Sequence, residues 1–253
     1  MSEHDYITLI DAAHQQLHAP IIMVWERLNT HRSQTMIDAR TRLRMPLLPP
    51  CVPDLNAAEG VQRAHAIAAA LARGPVSILV NNAATVEPLG ATSEIAPCDL
   101  RRAFEVFNVL APAALAAAVL PGMTAAGWGR IVNVSSGIVA HPEAMVRGNA
   151  YASTKAALEA HTLNLAEELR GTGVTVNVYR PGRVDTAMQE WIRGQDPERI
   201  GAALHGRFTR FATSGELITP ERAAASLLAR LVGEETGLVW DVDDLVVDPA
   251  GDA

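Results

Sequence analysis

Short apolar runs alternate along the chain with stretches in which apolar residues recur at helical spacing. Three runs are mainly apolar and bounded by turn residues, as strands buried inside a parallel sheet are: 77–80, 129–134 and 174–179. Apolar stripes of helical period occupy 57–72, 99–120, 151–170 and 220–231. This alternation predicts a parallel β-sheet flanked by helices, which is an α/β fold.

The first 50 residues depart from this pattern. The first glycine of the chain is Gly60, and four of the eight histidines precede it. Weak apolar patterns indicate a strand at 6–10, buried helical turns at 21–28 and a second strand at 34–39. We therefore interpret residues 1–50 as an atypical first segment of the fold.

Composition and charge narrow the possible partners. The 253 residues carry a net charge of −7 with dispersed basic residues, which argues against a nucleic-acid-binding surface. The cysteines, Cys51 and Cys98, give no disulfide framework and fit a reducing cytoplasm. No basic region precedes an apolar run at the N-terminus, and the apolar stretch 109–120 is short and contains Pro112. We expect a cytoplasmic protein without a nucleic-acid, membrane or metal partner.

The strongest chemical signal is the stretch 151–155, Tyr-Ala-Ser-Thr-Lys, with Ser136 upstream. On a helix, Tyr151 and Lys155 lie one turn apart on the same face. An ammonium near a phenol favours the phenolate, and lowering a tyrosine pKa by ~3 units requires roughly 4 kcal/mol. A serine hydroxyl near the phenol can hold a substrate oxygen. The pattern indicates an acid–base centre for a carbonyl or an alcohol; the alternative is an ordinary helix with an exposed Tyr–Lys pair.

Further motifs accompany this stretch. They are Ile-Leu-Val-Asn-Asn-Ala-Ala at 78–84, Asn108, Asn-Val-Ser-Ser at 133–136, Arg-Pro-Gly at 180–182 and Thr186. In order and spacing the set resembles the short-chain dehydrogenase/reductase family, over about residues 50–250. The resemblance implies a Rossmann-like, doubly wound parallel sheet flanked by helices, in a single domain over 1–253. It also implies an NAD(P)-dependent oxidoreductase that interconverts a carbonyl and a secondary alcohol.

By this resemblance, Asn108, Ser136, Tyr151 and Lys155 form the catalytic set. Tyr151 exchanges a proton with the substrate, and Ser136 holds and polarises the substrate oxygen. Lys155 lowers the tyrosine pKa and binds the cofactor ribose. Asn108 supports the proton relay by holding a water, although a lone asparagine on an apolar helix face is usually structural. Ser135, next to Ser136, is expected to be structural.

The resemblance also implies an NAD(P)(H) site at the carboxyl ends of the strands. Its residues are Asp54, Leu55, Asn81, Ala83, Tyr151, Lys155, Pro181, Gly182, Val184 and Thr186. Asp54 also fits a helix N-cap before 57–72. Asn81 and its neighbour Asn82 also fit a role in bracing the central strand. The choice between NAD and NADP stays open at this point.

One motif of the family is missing. In the family, the first strand runs into Thr-Gly-x-x-x-Gly-x-Gly, whose glycines let backbone N–H groups approach a pyrophosphate. A gapless placement puts Asp11, Gln15 and Leu17 at these glycines, where their side chains fill cofactor space. Three interpretations compete: a rebuilt cradle, a lost cofactor, or an N-terminal segment unrelated to the rest. The alternative function is therefore a cofactor-free protein of this fold, either a non-redox acid–base catalyst or a binding subunit.

Residues 184–215 mix apolar and arginine side chains after the last motif. They predict a lid over the pocket of a small, largely apolar substrate; the alternative is an ordinary surface excursion. Pro121-Gly122 predicts the end of the helix that begins near 99, and Thr219-Pro220 predicts the start of another. By resemblance, the helices at 99–120 and 151–170 pair subunits into a homodimer or homotetramer.

Overall fold

The computed structural model of the chain describes residues 21–24 and 76–245. Predictions that concern other positions lie outside the described residues. They are the strands at 6–10 and 34–39, the helix at 57–72, the glycine-position residues Asp11, Gln15 and Leu17, and the cofactor residues Asp54 and Leu55.

The described residues contain a sheet of five parallel strands in the order β1-β2-β3-β4-β5. The strands are β1 (Ile21–Val24), β2 (Ile78–Asn81), β3 (Gly129–Val134), β4 (Val174–Arg180) and β5 (Val239–Asp241). Ile22 pairs with Leu79, Leu79 with Ile131, and Ile131 with Val176, so the apolar runs lie side by side. The predicted parallel sheet is confirmed.

Helices connect the strands on both faces of the sheet. They are α1 (Pro97–Arg102), α2 (Leu110–Ala126), α3 (Asn149–Glu168), α4 (Ala187–Arg193), α5 (Pro197–Ile200), α6 (Ala202–Thr213) and α7 (Pro220–Leu231). A π-helical segment, Ala103–Asn108, joins α1 to α2. Short 3-10 turns occupy Gly137–Val139, Pro142–Met145 and Val242–Leu245. As predicted, α7 begins at Pro220, with the Thr219 hydroxyl accepting the N–H of Arg222.

Alternate residues of the strands supply two separate hydrophobic cores. The core on one face includes Leu79, Ile131 and Val176 of the sheet, Leu115 of α2 and Leu165 of α3. The core on the other face includes Ile78, Val80 and Val132 of the sheet with Leu227 and Leu231 of α7. Because both faces are covered, apolar residues on both faces of each strand are buried, which explains why these strands are mainly apolar.

Two elements differ from the sequence-based expectation. Residues Ile21–Val24 form a strand rather than helical turns, because their backbone pairs with β2; a run of four apolar residues does not distinguish the two. Helix α2 also continues through Pro121 to Ala126. Proline leaves the carbonyl of Ala117 without its helical donor, but both residues are exposed, so water can replace that donor. The helix ends instead at Gly127, which has φ 63°.

The helical stretch 97–126 has the length and apolar composition of a membrane span. The apolar stretch noted at 109–120 is therefore part of a longer helix. In the structure, α2 packs one face against the sheet and buries Pro112, Leu115, Val119 and Met123. A core helix of an α/β domain meets the same criteria of length and composition.

Candidate active site

The carboxyl ends of β2, β3 and β4 bring the sequence motifs together at one edge of the sheet. Asn81 is the last residue of β2, Ser135 and Ser136 follow β3, and Pro181 follows β4. Because these strands are parallel neighbours, the residues at their ends lie side by side. Sheets of this kind bind ligands outside the carboxyl ends of their strands. This edge is therefore the candidate site.

Ser136, Tyr151 and Lys155 form one cluster at this edge. The Ser136 hydroxyl lies beside the Tyr151 phenol and favours its ionised form. Lys155 lies one turn beyond Tyr151 on α3, and its Nζ is 5.9 Å from the centroid of the tyrosine ring. Nζ donates a 2.7 Å hydrogen bond to the carbonyl oxygen of Val134. Lys155 is only 2% exposed and Tyr151 is half-buried, so an exposed Tyr–Lys pair does not describe this helix.

Burial determines the direction of both pKa shifts in the cluster. It raises the pKa of the Tyr151 phenol, and the Ser136 hydroxyl offsets part of that rise. Burial also lowers the pKa of Lys155 from 10.5 to about 8, against the opposing charge of Glu159. The expected lowering of the Tyr151 pKa is wrong for this structure, because desolvation of the phenolate is the larger effect. At neutral pH Tyr151 is therefore a neutral phenol, which is a proton donor.

Glu159 is a buried carboxylate that sequence reasoning missed. Ser135 Oγ donates to its Oε1 over 2.7 Å, and Arg180 donates through Nε (2.8 Å) and Nη2 (2.7 Å). The position of Glu159 one helical turn after Lys155 could be read from the sequence, on the same face of the helix. The buried contact of Ser135 agrees with the structural role expected for that residue.

Asn108 ends the π-helical segment and is fully buried. Its Oδ1 accepts the N–H of Thr85 over 2.9 Å, and its Nδ2 donates to the Thr85 carbonyl oxygen (2.9 Å) and to Thr154 Oγ1 (2.8 Å). Thr154 Oγ1 donates in turn to the carbonyl oxygen of Tyr151. These bonds tie the loop after β2 to the helix that carries the Tyr–Lys pair. A role in a proton relay stays a prediction.

The described part of the predicted cofactor site fits the nicotinamide half of a dinucleotide. Asn81 donates through Nδ2 to Asn133, whereas its buried Oδ1 has no partner among the described residues and would suit an amide donor. Gly182 has φ +75°, and a Cβ there would lie 2.8 Å from Val242 Cγ1, so this position requires glycine. The Thr186 hydroxyl makes no capping bond to α4. Ala83, Pro181 and Val184 lie on the same two strand ends.

Helices α4, α5 and α6 lie against the cluster where the sequence predicts a lid. Their apolar residues form a buried core with the loops beside Tyr151: Val86, Leu89, Met145, Ile192, Ile200 and Leu204, with Ile138, Tyr151, Met188, Trp191 and Phe208 packed against it. The base of this segment is held by hydrogen bonds of Ile218 with Arg183 and Asp185. Arg147 donates to the carbonyl oxygens of Glu198 and Arg199. The segment therefore covers an apolar region next to Tyr151, and its motion stays a prediction.

A parallel sheet covered by helices, with a Ser–Tyr–Lys cluster at its carboxyl edge, defines a Rossmann-like α/β protein with an acid–base site. The family model described as short chain dehydrogenase matches residues 26–197. This match covers more than half of the chain, and the chain belongs to that family. The predicted family and the predicted Rossmann-like fold are both confirmed.

Curated relatives and solved structures agree with this assignment. The chain is 32% identical over 180 residues to acetoacetyl-CoA reductase of Cupriavidus necator, covering 67% of this chain and 64% of that protein. It is 42% identical over 102 residues to a 3-oxoacyl-(acyl-carrier-protein) reductase of Pseudomonas aeruginosa, covering 35% and 39%. The chain thus spans less than two thirds of the length of these relatives. The crystal structure of actinorhodin polyketide ketoreductase with NADPH has a TM-score of 0.72 and 25% identity, covering 93% of this chain and 91% of that one.

Proposed function

We propose that this protein is an NAD(P)-dependent oxidoreductase that interconverts a carbonyl and a secondary alcohol. The observation that carries the proposal is the placement of Ser136 and Tyr151 beside the buried Lys155, at the carboxyl edge of a parallel sheet. Family membership supports it, as do a relative named as an acetoacetyl-CoA reductase and a similar ketoreductase structure with NADPH. The preference between NAD and NADP is left to experiment.

In carbonyl reduction, Tyr151 donates the proton. Its raised pKa keeps the phenol protonated at neutral pH, which is the form that a general acid requires. Ser136 holds the substrate oxygen together with Tyr151, so two hydroxyl donors face the oxygen as negative charge develops on it. The dinucleotide, when bound, supplies the hydride. In alcohol oxidation the roles reverse, and Tyr151 must first lose its proton, which favours alkaline pH.

Lys155 stabilises the phenolate that remains on Tyr151 after proton transfer and binds the cofactor ribose. A charge close to the phenolate acts strongly because the ammonium is buried and little screened by water. Asn108 orders the helix that carries both groups. The nicotinamide half of the dinucleotide is held by residues from the ends of β2 and β4: Asn81, Ala83, Pro181, Gly182, Val184 and Thr186.

The substrate is a small and largely apolar ketone or alcohol. The apolar residues packed near Tyr151 include Met188, Trp191 and Phe208, which suit such a substrate better than a charged one. The proposal further includes a soluble, cytoplasmic protein that associates with itself as a homodimer or homotetramer through α2 and α3. The net charge of −7 supports the expectation that it has no nucleic-acid partner.

A second candidate is a cofactor-free protein on the same fold. Asp11, Gln15 and Leu17, which stand where the family has glycines, favour it. Such a protein would use Tyr151 and Lys155 for proton chemistry such as isomerisation or dehydration, or would only bind its ligand.

Fluorescence titration with NADPH and with NADH separates the two candidates. We expect saturable binding of at least one dinucleotide and its oxidation in the presence of acetoacetyl-CoA or a small ketone.

The Tyr151→Phe variant should keep dinucleotide binding and lose activity by about 100-fold or more. The matched control is Tyr179→Phe, because the Tyr179 hydroxyl bonds to Ala223 away from the site. Absence of binding to either dinucleotide overturns the redox proposal, and full activity of Tyr151→Phe excludes acid–base chemistry by this residue.

A further inference from the structure

Glu159 is the central group of a buried charge network next to Lys155. Its side chain is 8% exposed, and both carboxylate oxygens accept hydrogen bonds. Arg180 donates to both oxygens, and the Ser135 hydroxyl adds a third bond to Oε1. A carboxylate with a bidentate guanidinium partner is stable in its ionised form even when it is buried. The carboxylate of Glu159 is therefore fully engaged by donors inside the domain.

The negative charge of Glu159 favours the protonated form of Lys155 and so raises its pKa, although the two groups form no direct ion pair. The two residues are one turn apart on the buried face of α3. Their partners are consecutive along the chain: Lys155 donates to the carbonyl oxygen of Val134, and Glu159 is bonded by Ser135. Both side chains are thus anchored to the same end of β3, one residue before Ser136. A substitution of Glu159 is therefore expected to affect both the pKa of Lys155 and the position of its side chain at the end of β3.

The other charged and titratable groups near Lys155 do not replace Glu159. Tyr151 faces Lys155 as a neutral phenol, because burial raises its pKa. Arg180 from β4 is a cation whose charge the carboxylate of Glu159 balances. Asp241 from β5 lies 3.9 Å from Arg180 and is about half exposed, at 49%. Without Glu159, the guanidinium of Arg180 would keep, among the described residues, only this exposed carboxylate as an ionic partner.

We propose that Glu159 is a positioning residue: its carboxylate, held by Ser135 and Arg180, keeps Lys155 charged and correctly placed beside Tyr151. This role rests on the proposed function of the Ser–Tyr–Lys cluster. Arg180 and Ser135 contribute to the same role, because their hydrogen bonds hold the carboxylate that acts on Lys155. If Glu159 and Arg180 formed a purely structural ion pair between α3 and β4, the contacts would be the same. Removing the charge of Glu159 would then leave the titration of Lys155 unchanged.

The composition of the chain makes a direct test possible, because Lys155 is its only lysine. Protein labelled with ¹³C-lysine gives one side-chain Cε signal, whose chemical shift reports the Lys155 titration in the whole chain without any cofactor or substrate. The wild type is expected to titrate near pH 8. In Glu159→Gln the midpoint should fall by about one pH unit. In the control Glu167→Gln, which changes an exposed glutamate on the same helix, it should not move.

A second variant covers the case in which Glu159→Gln does not fold. Glu159→Gln combined with Arg180→Met removes both charges and leaves no unpaired guanidinium; we expect a lower Lys155 midpoint here as well. If both folded variants titrate like the wild type, Glu159 is only a structural partner and the proposal is overturned. If the midpoint falls in a protein that binds no dinucleotide, the proposed redox function fails while the electrostatic control of Lys155 stands. If the protein is active, the alkaline limb of the pH profile of kcat/KM should shift in the Glu159 variants by the same amount as the midpoint of the Lys155 titration.

Discussion

Lysine occurs once in this chain, at position 155, whereas twenty positions carry arginine. The two residues are not equivalent in a buried site. A guanidinium keeps its charge at every accessible pH, while an ammonium is compact and its pKa shifts readily on burial. The single lysine stands where a compact, titratable cation is required, one turn from Tyr151 and with its Nζ on the carbonyl oxygen of Val134. Composition therefore supports a specific role for Lys155 independently of any motif.

The burial of Lys155 makes its contribution to stability depend on pH. Its pKa falls from 10.5 to about 8 in the folded state, so between these values the unfolded chain binds more protons. The free energy of unfolding therefore rises with pH across this window, and the lysine contributes no pH dependence below about 8. Relative to Lys155→Met, we expect the wild type to gain about 2 to 3 kcal/mol between pH 8 and pH 10.5.

Urea unfolding of both proteins at pH 7, 8, 9 and 10 provides the measurement. Other titrating groups occur in both proteins, so their effects largely cancel in the difference. A difference that stays constant with pH would show that Lys155 keeps an ordinary pKa in the folded protein.

For single residues, the sequence identified the candidate catalytic side chains but not the surroundings that set their pKa values. Ser136, Tyr151 and Lys155 were predictable because a helix fixes the four-residue spacing and parallel strands end at a common edge. The rise of the Tyr151 pKa was not predictable, since it depends on the packing of the lid residues around the phenol. The partner of Glu159 was also hidden, because Arg180 lies on a different element, and only the fold brings the two charges together.

At the scale of secondary structure, helix and strand types were predicted better than their ends. The predicted helix from 99 to 120 is interrupted by the π-helical segment Ala103–Asn108. Periodicity did not reveal this segment, because the apolar residues continue through it. It places Asn108 where the side chain bonds to Thr85 and Thr154. Pro121 was overrated as a helix terminator, and Gly127 ends α2 instead.

The turn between α3 and β4 offers a test of how closely two elements approach. Gly171 and Gly173 both have positive φ, +82° and +81°. A Cβ on Gly173 would overlap the carbonyl oxygen of Gly127 at the end of α2, whereas a Cβ on Gly171 meets open space. We expect Gly173→Ala to lower the free energy of unfolding by more than about 3 kcal/mol, and Gly171→Ala by about 1 kcal/mol.

Thermal and urea unfolding of the two variants separate the clash from the backbone strain. The strain of a positive φ is common to both substitutions, so their difference measures the contact between the two turns. Equal destabilisation would mean that α2 and the turn before β4 can move apart at little cost.

At the scale of the whole molecule, the exposed face of α3 is the surface that the proposed oligomer would use. It presents Ser153, Ala156 and Ala160, small residues that allow close approach of a second helix. A cavity of about 380 Å³ adjoins it, lined in part by Val139, Val146, Ala152 and Ala156. Val146, which is 63% exposed, adds an apolar side chain that a second copy of the chain would cover.

A charge placed on this face tests the proposed association. Ala156→Glu introduces a carboxylate that would have to be desolvated between two copies of α3, at a cost of several kcal/mol in a dimer interface. We expect light scattering after size exclusion to give a dimer or tetramer for the wild type and a smaller species for Ala156→Glu. The control is Ala229→Glu, an equally exposed alanine on α7, which should keep the wild-type mass. A wild type that is monomeric at all accessible concentrations, or an Ala156→Glu variant of unchanged mass, would show that α3 does not form the subunit contact, and the exposed Val146 would then need another explanation.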